Sequence, residues 1–377
     1  MRATKVFTQF FENEKASGLL LIAVTLISLL LANSVFQDTY INFWKLSLGS
    51  HSLVDWINDG LMAIFFLLIG LELEREIYAG ELSNLRKASL PLFGALGGML
   101  VPAGLYLAFN WGTATQSGAG IPMATDIAFA VGALSLLGKK VPTSLKIFLT
   151  ALAVVDDLGA ILVIAIFYTK SLAFFNLAIA LAIFGGLLVC NRMRIHSFWP
   201  YAIGGIALWY FMLHSGIHAT IAGVLLAFAL PFGKGDKTSI SYRWQQKLHL
   251  PVGFIILPLF ALANTCLPLS GSIGTALLHP SSLGIILGLV IGKPLGIFLF
   301  AYGTTQLGWS HLPNDLRWKQ LFGAGILGGI GFTMSIFISL LAFQDEAYIE
   351  ASKIAILLAS TVAGIVGFLY LKRSFQS

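Results

Sequence analysis

The chain alternates between long apolar runs and short connectors that carry most of its charged residues. A helix that crosses a bilayer needs about 20 mainly apolar residues, and about twelve runs approach that length. The pattern therefore predicts an all-α integral membrane protein with about twelve transmembrane helices. The predicted spans are 17–36, 54–71, 88–109, 119–137, 143–168, 172–190, 198–213, 216–231, 249–265, 282–304, 320–343 and 351–371.

Composition agrees with this prediction. Hydrophobic residues make up 57% of the 377 and charged residues 11%, whereas a soluble domain averages about 25% charged residues. No polar stretch is long enough for a soluble catalytic domain. The first run follows basic residues, as in a signal peptide, but it is long for one, and we expect a retained first span.

Lysine and arginine residues predict the orientation of the spans. If the N-terminus is inside, 19 of the 23 basic residues fall on inner segments, whereas Lys45, Lys170 and Lys353 fall outside and Lys293 lies within a span. Both termini are therefore predicted to be cytoplasmic. The net charge of +6 then follows from membrane topology, and no basic face with interleaved aromatic residues suggests nucleic-acid binding.

Two triplets of spans, at about 88–168 and 282–371, share one plan: a complete run, a glycine-interrupted run and a complete run. Seven spans separate corresponding members, so the triplets enter the membrane from opposite faces. Such inverted-topology repeats are typical of secondary transporters. We interpret residues 1–377 as a single transmembrane transporter domain.

The interrupted runs, four and eleven, are predicted to contain helix breaks. They read GAGIPMATDIAFAVGAL (118–134) and GAGILGGIGFTMSIFISL (323–340). In a helix interior glycine costs about 1 kcal/mol and proline about 3 kcal/mol relative to alanine. Broken backbone within a membrane survives where it is buried in protein or lines a cavity. The alternative is that the glycines only allow helices to pack closely.

Four ionisable residues lie near the middle of predicted spans: Asp126, Asp156, Asp157 and Lys293. Each costs about 2.5–3.5 kcal/mol on insertion scales, so their presence points to a function. The alternative for a single buried charge is a structural ion pair that holds two helices together. Asp156 and Asp157 project about 100° apart on a helix, so they cannot both pair with one partner. When deprotonated they offer hard oxygen ligands to a small cation. Because protons compete for the same oxygens, the pair predicts cation/proton exchange.

Lys293 lies in GLVIGKPLG, which differs from a phosphate-binding loop because Gly288 is one residue too close and Pro294 follows the lysine. We therefore reject a nucleotide site. At this depth Lys293 can pair with an aspartate, release its proton when a cation enters, or offset the negative ends of broken helices. Asp126 lies next to the break predicted at Pro122 and can offset the positive ends.

Six stretches carry a resemblance to a known family. They are WINDGLMAIFFLLIGLELERE (56–76), IPMATDIAFAVG (121–132), KIFLTALAVVDDLGAILVIAIFY (146–168), LHSGIHATIAG (213–223), GKPLGI (292–297) and GILGGIGFTMSIFI (325–338). In this order, and over nearly the whole chain, they resemble the bacterial NhaA-type sodium/proton antiporters.

The resemblance implies twelve helices, of which the fourth and eleventh are broken and cross each other. It implies that Asp157 is the primary sodium ligand and that Asp156 alternates between the ion and Lys293. Thr125 would add an oxygen ligand. Asp126 and Lys293 would offset the N-terminal and C-terminal ends of the half-helices.

The resemblance also implies electrogenic, pH-regulated exchange of Na+ or Li+ for H+ in the bacterial inner membrane, by a transporter and not an enzyme. These ions and membrane lipid are the expected partners, and no resident cofactor is expected. A homodimer formed through a periplasmic hairpin after the first helix is implied as well, although the connector at about 37–53 is short.

Glu72, Glu76 and His218 match family positions linked to the pH response. The glutamates could instead be solvated charges at a helix end, and His218 could be a hydrogen-bonded packing residue. The best-known family members carry an acidic residue where this chain has Gln245. Their pH set point is therefore not expected here.

Other function classes remain as alternatives. Intramembrane aspartyl proteases use two aspartates in Tyr-Asp and Gly-x-Gly-Asp motifs, which residues 125–126 and 153–157 do not match. A cation channel could use similar oxygen ligands, but it has no need of a lysine beside paired carboxylates. Another ion-coupled secondary transporter is the remaining alternative.

Overall fold

The computed structural model describes residues 2–168, 172–233, 235–268 and 273–376. Side chains are described from Lys15 onward, except at 85–87, 139, 273 and 275. Lys170 and Lys234, which contributed to the predicted orientation, lie outside the described residues.

The described chain is mainly α-helical. In chain order the helices are α1 (Arg2–Ala32), α2 (Gln37–Trp44), α3 (Leu53–Asp55), α4 (Met62–Ala79), α5 (Leu85–Asn110), α6 (Ile127–Ser135), α7 (Thr143–Phe167), α8 (Phe174–Arg192), α9 (Phe198–Leu213), α10 (Ile221–Ala229), α11 (Ile240–Pro251), α12 (Leu257–Asn264), α13 (Ile273–Leu278), α14 (Pro280–Leu287), α15 (Lys293–Gln306), α16 (Trp318–Gly328), α17 (Phe332–Ala342) and α18 (Glu346–Ser374). Single π-helical turns occupy Trp56–Leu61, Val252–Ile256 and Gly288–Gly292, and 3-10 segments occupy Glu81–Ser83, Gln116–Met123 and Gly138–Lys140. Strands β1 (Ser47–Leu48) and β2 (His51–Ser52) form an antiparallel hairpin.

Nine helical stretches within the described ranges are long and apolar enough to cross a membrane. They are Lys15–Ala32, Leu53–Ala79, Ala88–Asn110, Gln116–Ser135, Thr143–Phe167, Phe174–Arg192, Ile240–Asn264, Pro280–Gln306 and Glu346–Ser374. The pair α16 and α17, bent by 46° at a short break, adds a tenth span. The prediction of an all-α, multi-pass membrane protein is confirmed.

The predicted runs 198–213 and 216–231 form shorter helices than the others. α9 has 16 residues and α10 has nine. Gly216 has a φ of +85°, a left-handed conformation that glycine adopts readily and that interrupts a helix. α10 therefore begins only at Ile221. The predicted run starts earlier, at 216, because the residues of the turn are apolar enough to leave the hydropathy pattern unchanged.

The chain forms two compact units. The first contains the described residues of Met1–Gln37, Asn84–Ala160 and Asn264–Ser377, and the second contains those of Asp38–Ser83 and Ile161–Ala263. All four charged residues predicted at membrane depth belong to the first unit. The three residues predicted for the pH response belong to the second.

Glycines bring α5 and α15 into backbone contact within the first unit. A Cβ at Gly97 would overlap the carbonyl oxygen of Gly296, and a Cβ at Gly296 would overlap that of Gly97. One turn away, a Cβ at Gly292 would lie 2.9 Å from the Cα of Pro102. Because α15 begins at Lys293, this close packing sets how far the lysine lies from its neighbours.

Gly296→Ala is expected to destabilise the protein by about 1–3 kcal/mol, since overpacking against rigid backbone cannot be relieved by a side-chain rotation. Thermal unfolding of the purified protein in detergent measures the effect. Gly303→Ala is the matched control on α15, because nothing lies within 4 Å of a Cβ added there. Equal stability of the two variants would contradict the close packing of α5 and α15.

The second unit is built around α4 and α10. A Cβ at Gly223 would overlap the carbonyl oxygen of Ala63, and one at Gly70 would lie 2.6 Å from the Cβ of Ala227. The β1–β2 hairpin also belongs to this unit, and Gly49 at its turn has a φ of +74°. Each strand has only two residues, in keeping with the short connector in the sequence.

Candidate ion site

The predicted break in run four lies between two helical segments of different type. A 3-10 segment, Gln116–Met123, contains Pro122, and the backbone is extended at Ala124 and Asp126 before α6 begins. Asp126 is the N-cap residue of α6, where its Oδ1 accepts a hydrogen bond from the N–H of Phe129 at 3.0 Å. The proline and the capping carboxylate together account for the interruption, because proline lacks a backbone N–H donor and aspartate starts a new helix by accepting one of its unpaired N–H groups.

The predicted break in run eleven lies at the glycines 329 and 331. α16 ends at Gly328 and α17 begins at Phe332. A Cβ at Gly329 would overlap the carbonyl oxygen of Leu289, and a Cβ at Gly331 would overlap the hydroxyl of Ser335. These glycines therefore do more than interrupt a helix, since they allow the broken backbone to approach its neighbours.

The two breaks are hydrogen-bonded to each other. The N–H of Asp126 donates to the carbonyl oxygen of Ile330 at 2.7 Å, and the Ser335 hydroxyl donates to the carbonyl oxygen of Ile121 at 2.8 Å. The Thr125 hydroxyl lies 3.0 Å from the carbonyl oxygen of Gly328. Backbone groups freed by the breaks thus find partners within the protein, as a membrane requires.

The Asp126 carboxylate lies at the N-terminal ends of two half-helices. Besides capping α6, its Oδ2 accepts hydrogen bonds from the N–H of Thr333, 3.0 Å away, and from the Thr333 hydroxyl. Thr333 is in the first turn of α17. A carboxylate at the N-terminus of a helix opposes the positive end of its dipole, and this one faces two such ends.

The side chain of Lys293 reaches the C-terminal end of the 3-10 segment. A π-helical turn, Gly288–Gly292, places it at the start of α15, and π turns are frequent at functional sites. Its side chain is 0% exposed, and Nζ lies 2.8 Å from Oδ2 of Asp156. Nζ also donates to the carbonyl oxygen of Met123, the last residue of the 3-10 segment.

Asp156 and Asp157 lie on α7, and both are 1% exposed. Oδ2 of Asp156 lies 2.6 Å from the Thr125 hydroxyl, which can donate either there or to Gly328. Among the described residues no donor reaches Oδ1 of Asp156. Asp157 interacts electrostatically with Lys293. The site therefore combines carboxylate and hydroxyl oxygens with one buried ammonium group.

The structure joins four of the predicted site residues, Thr125, Asp126, Asp156 and Lys293, directly or through the backbone of the breaks, and it places Asp157 beside them on α7. The sequence alone indicated no role for Thr333, although this residue donates two hydrogen bonds to the Asp126 carboxylate. The available signal was a hydroxyl residue two positions after Gly331, in the first turn of the helix that follows the break. The contact with the Met123 carbonyl could not be predicted from the sequence, because every residue has a backbone carbonyl.

The predicted pH-response glutamates lie toward the C-terminal end of α4. Glu72 Oε1 lies 3.9 Å from Nδ1 of His249, and Glu76 Oε2 accepts a hydrogen bond from the N–H of Glu81 at 3.0 Å. Glu74 between them is 4% exposed and contacts Ser241. The three glutamates thus have different surroundings.

Gln245 occupies the position at which family members were expected to carry an acid. Its Oε1 accepts a hydrogen bond from Nη1 of Arg75 at 3.4 Å, and the Arg75 guanidinium lies over the Tyr242 ring at 5.6 Å. His218 donates through Nε2 to the carbonyl oxygen of Tyr168 at 2.9 Å. That bond fits the packing role considered as the alternative for His218.

Comparison with known proteins gives concordant matches. The model of the family described as Na+/H+ antiporter 1 matches residues 8–371. The Na(+)/H(+) antiporter NhaA of Flavobacterium psychrophilum is 63% identical over 372 residues, covering 99% of this chain and 97% of that protein. The NhaA of Cytophaga hutchinsonii is 59% identical over 376 residues, covering 100% and 97%. The solved structure of the sodium proton antiporter MjNhaP1 from Methanocaldococcus jannaschii at pH 8 has a TM-score of 0.56 at 14% identity, covers 98% of this chain and 100% of that one, and is similar in fold.

Proposed function

The chain belongs to the Na+/H+ antiporter 1 family, and from this membership we propose that its buried aspartates are the site at which Na+ and protons are exchanged. The protein is a multi-pass membrane transporter that exchanges Na+ for H+, and it is not an enzyme. One observation carries the proposal: a solvent-excluded ion pair, Lys293 to Asp156 at 2.8 Å, lies where two helix breaks meet.

In the proposed site Asp157 is the primary Na+ ligand, Asp156 is its partner and Thr125 contributes a hydroxyl oxygen. Hard cations take oxygen ligands, and Oδ1 of Asp156 receives no hydrogen bond from the described residues. Oδ2 of the same carboxylate is already shared by Lys293 and Thr125. Na+ at Asp156 therefore competes with Lys293 for one carboxylate.

The competition supports electrogenic exchange. We propose that Asp157 releases one proton when it becomes a ligand. A second proton leaves Lys293, because an enclosed ammonium without its carboxylate partner is costly. When Na+ leaves on the other side of the membrane, both groups take up protons again. Two protons then cross for each Na+, and each cycle moves one net charge.

Asp126 and Lys293 are proposed to keep the broken helices in place between the two states. Asp126 offsets two positive helix ends, and Lys293 offsets the negative end at Met123. Both charges are held by hydrogen bonds to the breaks. Movement of Lys293 on and off Asp156 would therefore also change its hydrogen bond to the 3-10 segment at Met123.

The test is dequenching of a pH-sensitive dye in energised everted vesicles on addition of Na+, Li+ or K+, at values from roughly pH 6 to 9 around neutrality, where histidine and perturbed carboxyl groups titrate. We expect dequenching with Na+ and with Li+. Repeating the assay with the membrane potential clamped tests electrogenicity, since two-for-one exchange slows when charge cannot move. No response from folded protein at any pH would contradict the proposal and favour a channel or another transported ion.

We further propose that the protein lies in the bacterial inner membrane with both termini cytoplasmic and forms a homodimer through the β1–β2 hairpin. The distribution of basic residues supports the orientation, and exposed Leu48 is available on the hairpin. Disulfide formation by a Leu48→Cys variant in membranes tests the contact. Reporter fusions at the two termini test the orientation.

The pH response is proposed to depend on the titratable groups at the inner ends of α4 and α11. Gln245→Glu adds a carboxylate beside Arg75, near Glu72, Glu76 and His249. A nearby negative charge favours the protonated forms of its neighbours, so we expect the pH at which transport switches on to rise by about half a unit to one unit. The vesicle assay over the same pH range measures this shift.

Gln246→Glu is the matched control for this prediction, since Gln246 is adjacent and exposed. Solvent screens a charge there, so its pH profile should match that of the unmodified protein. Identical profiles for both variants would show that the Arg75–Gln245 contact does not set the pH response.

A further inference from the structure

An apolar groove with a volume of about 460 Å³ lies in the first unit, apart from the charged side chains of the ion site. α1, α6 and α18 line it, together with Ile330 and Phe332 at the break in run eleven. Among the described side chains, Lys15 is the one charged residue in the lining. Otherwise the lining consists of apolar residues, glycines and three hydroxyl residues.

The groove has the dimensions of a lipid tail. Along α1 it is lined from Lys15 to Leu29, which corresponds to about 21 Å at 1.5 Å per residue. One leaflet of a hydrocarbon core of ~30 Å is about 15 Å deep. A chain that enters beside Lys15 therefore reaches the middle of the membrane within the groove.

The groove is open to the surroundings of the protein. Ile22, Leu26 and Ile365 line it and are all exposed. α1 and α18 are both long and apolar enough to span a membrane. In a bilayer the medium beside such residues is hydrocarbon, so a phospholipid tail is the occupant available at high concentration.

Charge at one end specifies the headgroup. Lys15 lies two residues before the predicted span 17–36 in α1. Lys372 and Arg373 are exposed in the last turn of α18, which the distribution of basic residues places on the same cytoplasmic side. A basic residue near a membrane surface attracts anionic lipid by about 1 kcal/mol, which corresponds to about fivefold in affinity. A long lysine side chain can also extend to the interface.

We propose that this groove binds one acyl chain of an anionic phospholipid, with Lys15 at its phosphate headgroup. The bound chain packs against the break that completes the ion site. The carbonyl oxygen of Ile330 accepts the N–H of Asp126. The N–H of Phe332 donates to the Ser360 hydroxyl at 3.1 Å. The centroid of the Phe332 ring lies 4.7 Å from the centroid of the Phe129 ring. This site goes beyond ion exchange, which requires no lipid ligand.

Photolabelling in proteoliposomes tests the proposal. Phosphatidylglycerol with a photoreactive group in its acyl chain is added at trace level to phosphatidylcholine, and cross-linked residues are mapped by mass spectrometry. We expect labelling of the groove to exceed labelling of the lipid-facing helix α8 by about fivefold, in line with the attraction of one lysine. Equal labelling of groove and α8, or equal groove labelling by a phosphatidylcholine probe, would overturn the proposal.

Gly364→Leu fills the groove. A Cβ at Gly364 meets only Ile330, at an ordinary 3.6 Å, so the variant should fold, and groove labelling should fall at least fivefold. Gly303→Leu is the matched control, because its added Cβ meets nothing within 4 Å. Undiminished groove labelling in Gly364→Leu would overturn the site.

Lys15→Gln tests the headgroup contact without filling the groove. Labelling by phosphatidylglycerol should fall about fivefold, whereas Lys319→Gln, at an exposed lysine outside the groove, should leave it unchanged. Equal labelling of the two variants would overturn the role of Lys15. Disulfide-linked dimers of an Ile365→Cys variant without groove labelling would show that a second copy covers the groove. The ion-exchange assay on the same vesicles separates failure of this proposal from failure of the transport site.

Discussion

Asp157→Asn should abolish sodium/proton exchange while leaving the protein folded and inserted. Asparagine has nearly the same shape as aspartate, and removing a charge from a residue that is 1% exposed does not add a cost of burial. The cation loses its proposed primary anionic ligand, and one of the two exchanged protons loses its carrier. We expect exchange to fall by about a hundredfold or more, because an ionised ligand is worth several kcal/mol.

Sodium uptake and dye dequenching in proteoliposomes measure this loss, and size-exclusion chromatography with thermal unfolding shows whether the variant is folded. Asp345→Asn is the matched control. Asp345 caps α18 through its Oδ1 and the N–H of Ala347 at 2.9 Å, and asparagine is an equally good N-cap residue. Exchange at the unmodified rate in Asp157→Asn would remove Asp157 from the ion site.

Lys293→Met is expected to cause the largest loss of stability, about 3–5 kcal/mol, as for a buried ion pair from which one partner is removed. Methionine fills much of the lysine volume, so the loss arises mainly from charge. Oδ2 of Asp156 keeps only the Thr125 hydroxyl as a hydrogen-bond donor among the described residues. Thermal unfolding in detergent measures the effect, with Lys319→Met, at an exposed lysine, expected to change stability by less than about 0.5 kcal/mol.

The double variant Asp156→Asn with Lys293→Met separates charge from packing. If the loss comes from an uncompensated carboxylate, removing that carboxylate restores most of the stability, and the two substitutions are strongly non-additive. Replacing both members of a buried ion pair is often neutral for stability. Purely additive losses would show that the two side chains are not energetically coupled.

The sequence predicted the membrane fold well because hydropathy is a local property. Each apolar run must be helical in lipid whatever its neighbours are, since its backbone groups have no other partners there. The breaks in runs four and eleven were predictable for the same reason, from Pro122 and from the glycines 329 and 331. The start of α10 was not, because a turn at Gly216 lies inside an apolar stretch and leaves hydropathy unchanged.

The candidate site was predictable in its residue types but not in its contacts. The cost of Asp126, Asp156, Asp157 and Lys293 in a membrane marked them from the sequence. From the residues alone, any of the three aspartates could pair with Lys293. The structure pairs Lys293 with Asp156 and holds Asp126 by Thr333.

Sequence alone determined that this protein is helical, lies in a membrane, carries charged residues at a depth where lipid makes them costly, and has helix breaks in runs four and eleven. Each of these properties depends on residues within one span. Only the tertiary structure decided that the two helix breaks meet, that Asp126 accepts hydrogen bonds from the first turns of two half-helices and that Lys293 reaches the carbonyl of Met123. Asp126 and Thr333 are 207 residues apart, and Lys293 and Met123 are 170 apart. Contacts at such separations depend on how whole helices pack, which no local pattern of residues specifies.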